Sequence, residues 1–262
     1  MSVSDLLDRY TAEISPRKRS CDIERYRAPT LKTHFGSVSL GRLTPAMVVA
    51  YADARLLEVS SESVTKELNL LSVAIDTAMA LWGVELPANP VHTARSILKV
   101  TKTLKKHHHR ERRPSPEELA CLFRTLPHQM ALLVEFAIET AMRRSEILAM
   151  TAQDRDGTVL RIPRTKTDEP RTIPLSSRAQ AILDEVGAFT YAPSSVSHMF
   201  KRACKACGIE DLHFHDLRHE GASRLFERGW NVAEVAAVTG HSFATLQRYT
   251  HIAPALLSQK MG

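Results

Sequence analysis

The feature that most constrains this fold is a strongly basic segment near the middle of the chain. Residues 99–113 read KVTKTLKKHHHRERR and carry seven Lys or Arg side chains against one carboxylate, that of Glu111. This balance equals the net charge of +6 of the whole 262-residue chain. Because like charges repel and the segment has little apolar surface to bury, it predicts a linker. A chain of this length also favours two domains.

The linker charges predict a polyanionic partner such as nucleic acid. The side chains expected to contact phosphates are Lys102, Lys105, Lys106, Arg110, Arg112 and Arg113. We interpret the three histidines at 107–109 as part of the same solvated stretch. A metal site or the remnant of a purification tag is the alternative, but tags usually lie at chain ends.

The pattern of apolar side chains in residues 1–98 predicts a helical domain. Within residues 60–82, apolar side chains recur at alternating steps of four and three, which is the stripe of an amphipathic helix. These residues are Val64, Leu68, Leu71, Ile75, Ala78 and Trp82. Ser60 or Ser61 can cap the helix, and Gly83 with the PANP that follows ends it. The stripe is too short for a coiled coil.

Capping motifs and apolar periodicity in residues 114–262 predict a second domain, which is mainly helical with a small β-hairpin. Ser115-Pro116-Glu117-Glu118 is a capping box with proline at the first helical position. TVLRI and RTIPL predict two short strands around a polar TKTDEP turn. The further helices are predicted at about 129–141, from SEILAM onward, and at about 176–186, 194–207, 216–228 and 231–239.

Composition excludes some classes of protein. No apolar stretch is long enough to span a bilayer, and no N-terminal run resembles a signal peptide. We therefore expect a cytoplasmic protein without a membrane partner. Four cysteines in a chain of this length do not form a disulfide scaffold, and we expect no disulfide in a reducing compartment.

A set of basic side chains ending in one tyrosine is spread over the second domain. The set is Arg143 in TAMRRSEIL, Lys166 in TKTDEP, His215 and Arg218 in HDLRHE, His241 in TGHS and Tyr249 in RYTH. Cations and imidazoles of this kind can hold a phosphodiester and neutralise the charge that grows on it in a transition state. A phenol is the natural candidate for the nucleophile.

In content and order these motifs resemble the tyrosine recombinase (phage integrase) family. TAMRRSEIL resembles the family's Thr-Gly-x-Arg-x-Ser/Gly-Glu pattern, and CGIEDLHFHDLRH resembles its His-x-x-Arg segment. RTKTDEPRTIPL and RYTH resemble its hairpin and its tyrosine segment. Two departures stand out: Ala141 replaces a usual glycine, and His241 and Tyr249 lie eight residues apart, one fewer than is usual.

The resemblance implies a mechanism. Tyr249 would attack a phosphate and form a 3′-phosphotyrosyl link, with His215 as general base and Lys166 as general acid. The resemblance also implies that Arg143, Arg218 and His241 hold the transition state and that Glu146 supports Arg143. Because the bond energy stays in the covalent link, neither ATP nor a metal cofactor would be needed.

The resemblance also implies a two-domain DNA clamp. Residues 1–98 would be the helical core-binding domain, 99–113 the linker along the DNA backbone and 114–262 the catalytic domain. The chain would bind double-stranded DNA and self-associate into dimers and tetramers, with the apolar HIAPALL tail docking on a neighbouring copy.

The sequence is compatible with several functions. Integration or excision of a mobile element is favoured, with dimer resolution as the alternative within the family. Topoisomerase-like relaxation uses the same chemistry. A non-catalytic DNA-binding regulator is disfavoured by the complete basic set and the tyrosine.

A zinc site is a competing interpretation of one segment. Cys204 and Cys207 are followed by three histidines, His213, His215 and His219, which superficially resemble zinc ligands. The two cysteines also continue a helical apolar face with Met199, Phe200 and Ala203. We favour core packing, because CxxC zinc sites usually hold the pair in a tight knuckle with a second pair.

Overall fold

The computed structural model describes residues 1–104, 110–163, 170–247 and 249. The chain divides into two compact units, Met1–His109 and Arg110–Gly262. This division falls inside the predicted linker. Each unit has its own apolar core.

The secondary-structure elements described in the first unit are all helices. Its helices are α1 (Val3–Glu13), α2 (Cys21–Phe35), α3 (Pro45–Leu56), α4 (Ser61–Leu81) and α5 (Pro90–Val100). The stripe predicted for α4 is buried from Val64 to Ala78, and the Ser60 hydroxyl caps the helix as expected. The PANP motif ends this region and also begins α5, since Asn89 is its N-cap and Pro90 its first residue.

The second unit is mainly helical with one small sheet. Its first helices are α6 (Pro116–Thr125), α7 (His128–Thr140) and α8 (Arg144–Ile147). After the sheet follow α9 (Ser177–Val186), α10 (Pro193–Ala206), α11 (Asp216–Glu227), α12 (Val232–Thr239) and α13 (Phe243–Leu246). The capping box predicted at Ser115 is present, and Gly240 ends α12 with a φ of 65°. The mainly helical fold with a small sheet is therefore confirmed.

The sheet has three antiparallel strands in chain order. They are β1 (Arg155–Asp156), β2 (Val159–Ile162) and β3 (Arg171–Pro174). β2 and β3 are the two strands predicted from TVLRI and RTIPL, and Ile162 pairs with Arg171 at the open end of their ladder. The turn that carries Lys166 lies outside the described residues.

Close packing of α7 on α11 builds the floor of the second unit. A Cβ added at Gly221 would lie 2.3 Å from the Ile138 carbonyl oxygen, so only glycine fits there. Ala141 ends α7 with a φ of 48°. It adopts the left-handed conformation that glycine would adopt more readily, so the alanine preserves the turn at a small conformational cost.

A disulfide joins Cys121 in α6 to Cys207 just after α10. The expectation of no disulfide is therefore wrong for this structure. Because α6 packs on α10, the two Cα atoms are 6.0 Å apart, which suits a disulfide. Cys204 is buried as predicted, whereas Cys207 is half-buried and bonded rather than packed in the core.

No helix in the described ranges combines the length and the apolar character needed to cross a membrane.

Candidate active site

Arg143 is held at the start of α8 by a buried carboxylate. Its backbone N–H and its Nη1 both donate to Glu146, at 2.9 and 2.7 Å. Its Nη2 donates to the Gly240 carbonyl at 3.3 Å, which ties it to the loop that carries His241. Glu146 therefore holds both the backbone and the side chain of Arg143.

Glu146 has a second partner that the sequence did not single out. Arg171 in β3 donates to both of its carboxylate oxygens, at 3.0 and 2.7 Å, and also to the Val238 carbonyl at 3.0 Å. Burial alone would raise the pKa of Glu146, but the hydrogen bonds from Arg171 and Arg143 outweigh it and lower that pKa to about 2. The carboxylate therefore stays ionised between the two guanidinium groups.

Arg218 is the most deeply buried cation of the site, with 2% of its surface exposed. It donates to the carbonyls of Ala141 and Thr239, each at 2.6 Å, and to His241 Nε2 at 3.1 Å. In the described part of the chain no carboxylate forms an ion pair with it. Burial, and next the repulsion of Arg143, lower its pKa. This is the environment of a cation that an incoming anion would stabilise.

The two predicted histidines reach the site from different elements. His215 is the N-cap of α11 and is exposed beside Arg143, whereas His241 follows the Gly240 cap of α12. The close packing around the His215 ring, and next the repulsion of Arg218, lower its pKa. It is therefore a neutral imidazole at neutral pH.

Tyr249 is buried, with 5% of its surface exposed, and its hydroxyl meets a histidine outside the predicted set. Its Oη lies 2.6 Å from His219 Nδ1. Its ring stacks on Phe226 at 5.5 Å between centroids. The shorter spacing between His241 and Tyr249 still leaves the tyrosine inside this cluster, because the His219 ring lies 6.5 Å from that of His241.

A groove of about 890 Å³ opens beside Arg143 and His215. Its lining includes the cations of Arg144, Lys201 and Lys205 together with His213, and two acidic residues, Glu210 and Asp211. Apolar side chains also line it, among them Phe200, Leu212 and Phe214. The excess of cations suits an anionic ligand.

Arg110, at the end of the linker, is bound to the second unit. It donates to both carboxylate oxygens of Asp216, at 2.7 and 2.9 Å, and to Asp211 at 2.7 Å. Asp216 is fully buried and also accepts from the His213 backbone N–H at 2.7 Å. Arg110 thus fixes the start of α11, directly beside His215.

Arg112 and Arg113 are paired in the same way. Arg112 donates to Glu118 at 2.9 Å, and Arg113 donates to Glu220 and Glu227, each at 2.7 Å. We expected phosphates as partners of these guanidinium groups. In the structure they pair with carboxylates, one six residues from Arg112 and two more than 100 residues from Arg113. Their visible role is to attach the end of the linker to the second unit.

The other predicted linker contacts are three lysines. Lys102 is exposed at the end of the first unit. Lys105 and Lys106 lie outside the described residues, as does the predicted general acid Lys166.

In the ranges that the structure describes, no three His, Cys, Asp or Glu side chains converge as a metal site would require. Cys207, one candidate zinc ligand, is bonded to Cys121 instead.

Sequence reasoning missed the roles of Arg171 and His219. Arg171 belongs to RTIPL, for which the sequence predicts only the second strand of a hairpin. His219 had a signal, since it lies four residues after His215 and so shares its helix face. Nothing in the sequence showed that Tyr249 would meet that face.

The sequence pattern of the phage integrase family matches residues 114–188 and 190–255, which is more than half of the chain. A "Shufflon-specific DNA recombinase" from Escherichia coli is 35% identical over 274 residues, covering 96% of this chain and 69% of the relative. A "Putative integrase/recombinase" from Haemophilus influenzae is 29% identical over 281 residues, covering 97% and 73%.

Two solved structures share the fold at low sequence identity. A lambda integrase dimer bound to a COC′ core site superposes with a TM-score of 0.78 at 22% identity, covering 95% of this chain and 77% of that one. The Tn1549 transposon integrase with transposon right end DNA gives 0.80 at 14% identity, covering 100% of both. The family pattern, the relatives and the fold agree, and the chain belongs to the phage integrase family as a tyrosine-type site-specific DNA recombinase.

Proposed function

We propose that this recombinase cuts and rejoins DNA through Tyr249. The tyrosine oxygen attacks the scissile phosphorus, the bond from phosphorus to the 5′-oxygen breaks, and a 3′-phosphotyrosyl link remains. The released 5′-oxygen leaves as a hydroxyl after taking a proton. A 5′-hydroxyl from a partner strand then attacks the link, and Tyr249 leaves with its proton restored.

The observation that carries this proposal is the buried cation beside the buried phenol. Arg218 lies deep in the second unit with two carbonyls and His241 as hydrogen-bond partners, and Tyr249 belongs to the same cluster. A phosphodiester entering from the groove would supply the missing negative charge. Arg143, fixed by Glu146, would supply a second guanidinium group.

Two further residues complete the proposed chemistry. His215, a neutral imidazole on the groove, would contact the phosphate as it enters. Lys166, which lies between β2 and β3 in the sequence, would donate the proton to the leaving 5′-oxygen. A general acid at that position is needed because an alkoxide is a poor leaving group.

We further propose that the basic segment follows the DNA backbone through its lysines. With Arg110, Arg112 and Arg113 paired to carboxylates, Lys102, Lys105 and Lys106 are the remaining cations of the predicted phosphate contacts. Changing Lys105 and Lys106 to Glu should weaken binding to all duplex sequences and lower the log–log salt slope by about one unit per lost contact. An unchanged slope with altered sequence preference would mean that the segment reads bases.

Assembly and biological role are proposed from the relatives. The lambda integrase structures are of a dimer on a core site and of a tetramer on a Holliday junction. We propose the same succession of assemblies for this chain, acting in the cytoplasm on the ends of a mobile element. Dimer resolution stays the alternative, since it needs the same site chemistry.

The test is to trap the covalent complex. A nicked suicide duplex carrying the flanks of the chain's own coding region should give a protein–DNA adduct that survives denaturing gels. Tyr249→Phe should give no adduct and bind duplex DNA within a few-fold of the original protein, because only the phenolic oxygen is lost. Sequencing the trapped junction would then identify the DNA site.

Tyr191→Phe is the matched control, since this half-buried tyrosine lies in the same unit and packs against its core. It should form the adduct at the normal rate. An adduct that persists in Tyr249→Phe but not in Tyr191→Phe would assign the nucleophile to Tyr191.

A further inference from the structure

The residue that contacts the Tyr249 hydroxyl is His219, which the proposed mechanism has not used. The two are 2.6 Å apart, from His219 Nδ1 to Tyr249 Oη, and both are buried. This distance is within the range over which a proton moves directly between two groups. A neutral histidine with its proton on Nε2 offers Nδ1 as the acceptor.

Two side chains of α11 contact Tyr249. His219 and Phe226 lie seven residues apart, two turns of one helix face, and Tyr249 packs against both. The Phe226 ring is nearly parallel to the tyrosine ring, at 17°, and fixes its plane. The hydroxyl is therefore aimed at the imidazole by packing, not only by the hydrogen bond itself.

His215 occupies a different position on the same helix. Its ring lies edge-on to His219 at 5.3 Å between centroids, and it faces the groove. One turn of helix thus separates an exposed imidazole, placed to meet the phosphate, from a buried imidazole placed to meet the nucleophile. The resemblance implied that His215 is the general base and assigned the phosphate to Arg143, Arg218 and His241.

We propose that His219 is a catalytic residue that positions the Tyr249 hydroxyl and accepts its proton during cleavage. This rests on the proposed function, in which Tyr249 is the nucleophile. As the bond from Oη to phosphorus forms, the phenolic proton passes to Nδ1. The bond to the 5′-oxygen breaks, and its electron pair takes a proton from Lys166. On rejoining, His219 returns its proton to Oη as Tyr249 leaves.

Two versions of the suicide duplex separate the base from the acid. One has the ordinary 5′-bridging oxygen at the scissile phosphate and the other has sulfur there. A thiolate leaves without protonation, so the sulfur substrate makes a general acid unnecessary while the nucleophile still has to lose its proton. The measured quantity is the single-turnover rate of adduct formation by the full chain.

His219→Asn should slow adduct formation about 10²–10⁴-fold on both substrates, the usual contribution of a general base. Lys166→Ala should be slow on the oxygen substrate and recover on the sulfur one. His128→Asn, an exposed histidine at the start of α7, is the matched control and should react at the original rate. The rate of His219→Asn should also rise with hydroxide concentration over a pH range in which the original protein has reached its plateau.

The outcomes separate the two levels of the proposal. An original protein that forms no adduct at all overturns the proposed function and this inference with it. A normal adduct together with a His219→Asn rate within about threefold of the original overturns the inference alone. So does a His219→Asn defect that sulfur restores, because His219 would then serve the leaving group.

A second variant guards against misfolding. His219→Gly should regain adduct formation in proportion to added imidazole, which enters the space of the lost ring. Circular dichroism and the Tm of each variant verify the fold. If His219→Gly is folded and imidazole does not restore the rate on either substrate, the role as proton acceptor is wrong.

Discussion

Each unit buries a charged cluster, but the two clusters balance their charges differently. In the first unit Glu67 accepts hydrogen bonds from Tyr51 at 2.6 Å and from Arg55 at 2.8 and 3.1 Å. In the second unit Arg218 donates to two carbonyls and one imidazole. The first cluster therefore pairs cation with anion, whereas no carboxylate in the described part of the chain pairs with the buried cation of the second.

The pKa shifts follow this difference. Burial would raise the pKa of Glu67, but the bonds from Arg55 and Tyr51 outweigh it and lower that pKa. Burial lowers the pKa of Arg218, and its hydrogen bonds do not reverse that shift. The cluster of Glu67, in which the charges are paired (the closed cluster), thus stabilises the fold. The cluster of Arg218, in which they are not, is suited to receive an anion.

The largest expected effect is on stability, from Glu67→Gln in the first unit. Removing the carboxylate leaves the Arg55 guanidinium without its buried partner, which should lower the free energy of unfolding by about 3 kcal/mol. Urea unfolding of the full chain measures it. Glu62→Gln, on the same helix in an exposed pair with Lys66, should change it by less than about 0.5 kcal/mol. Equal losses in both variants would contradict the closed-cluster interpretation.

Arg218→Gln should instead affect the anion site. Loss of this guanidinium should slow adduct formation about 10²–10³-fold, as for other groups that stabilise transition-state charge. Inorganic phosphate, compared with NaCl at matched ionic strength, should raise the Tm of the original protein, because phosphate binds only the folded site.

The phosphate effect on Tm should disappear in Arg218→Gln and persist in Arg224→Gln, whose guanidinium is already paired with Glu220. Phosphate protection that survives in Arg218→Gln would show that the anion binds elsewhere. Arg218 would then not be the cation that receives the anion.

The smallest expected effect concerns His215 and pH. Because its pKa is lowered in the folded chain, the unfolded chain binds more protons near pH 6. The group therefore costs stability as the pH falls below about 6.5, and contributes none of this loss above it. Above about pH 6.5, the Tm of His215→Gln should vary with pH as that of the original protein does. Below that pH, the Tm of the variant should fall less. Parallel Tm curves across this range would refute the shifted pKa.

The helices that sequence predicted best are those specified by neighbours in the chain. α6 begins at Ser115 because the serine, the proline and Glu118 all lie within one turn. α4 follows its own apolar stripe, and Gly240 ends α12 because glycine readily adopts the required positive φ. Each of these features depends on interactions a few residues apart, so the sequence displays them.

The basic segment shows where that reasoning stops. Its charge can be counted from the sequence, but the partners of its arginines within the second unit cannot, because Arg110 pairs with Asp216 and Arg113 with Glu220, both more than 100 residues away. The disulfide between Cys121 and Cys207, 86 residues apart, escaped prediction for the same reason. Charge and thiol chemistry can be read from a residue's identity, whereas its partner depends on which helices pack together.

The sequence by itself determined the mainly helical fold, its interruption by a basic linker, and the set of residue types that phosphoryl transfer needs. Their order in the chain was enough to indicate the family. Only the tertiary structure decided that Arg171 shares Glu146 with Arg143, and that His219 meets the Tyr249 hydroxyl. Those contacts join residues 25 and 30 positions apart. They exist because β3, α8, α11 and the segment after α13 converge, and convergence is a property of packing that no local pattern encodes.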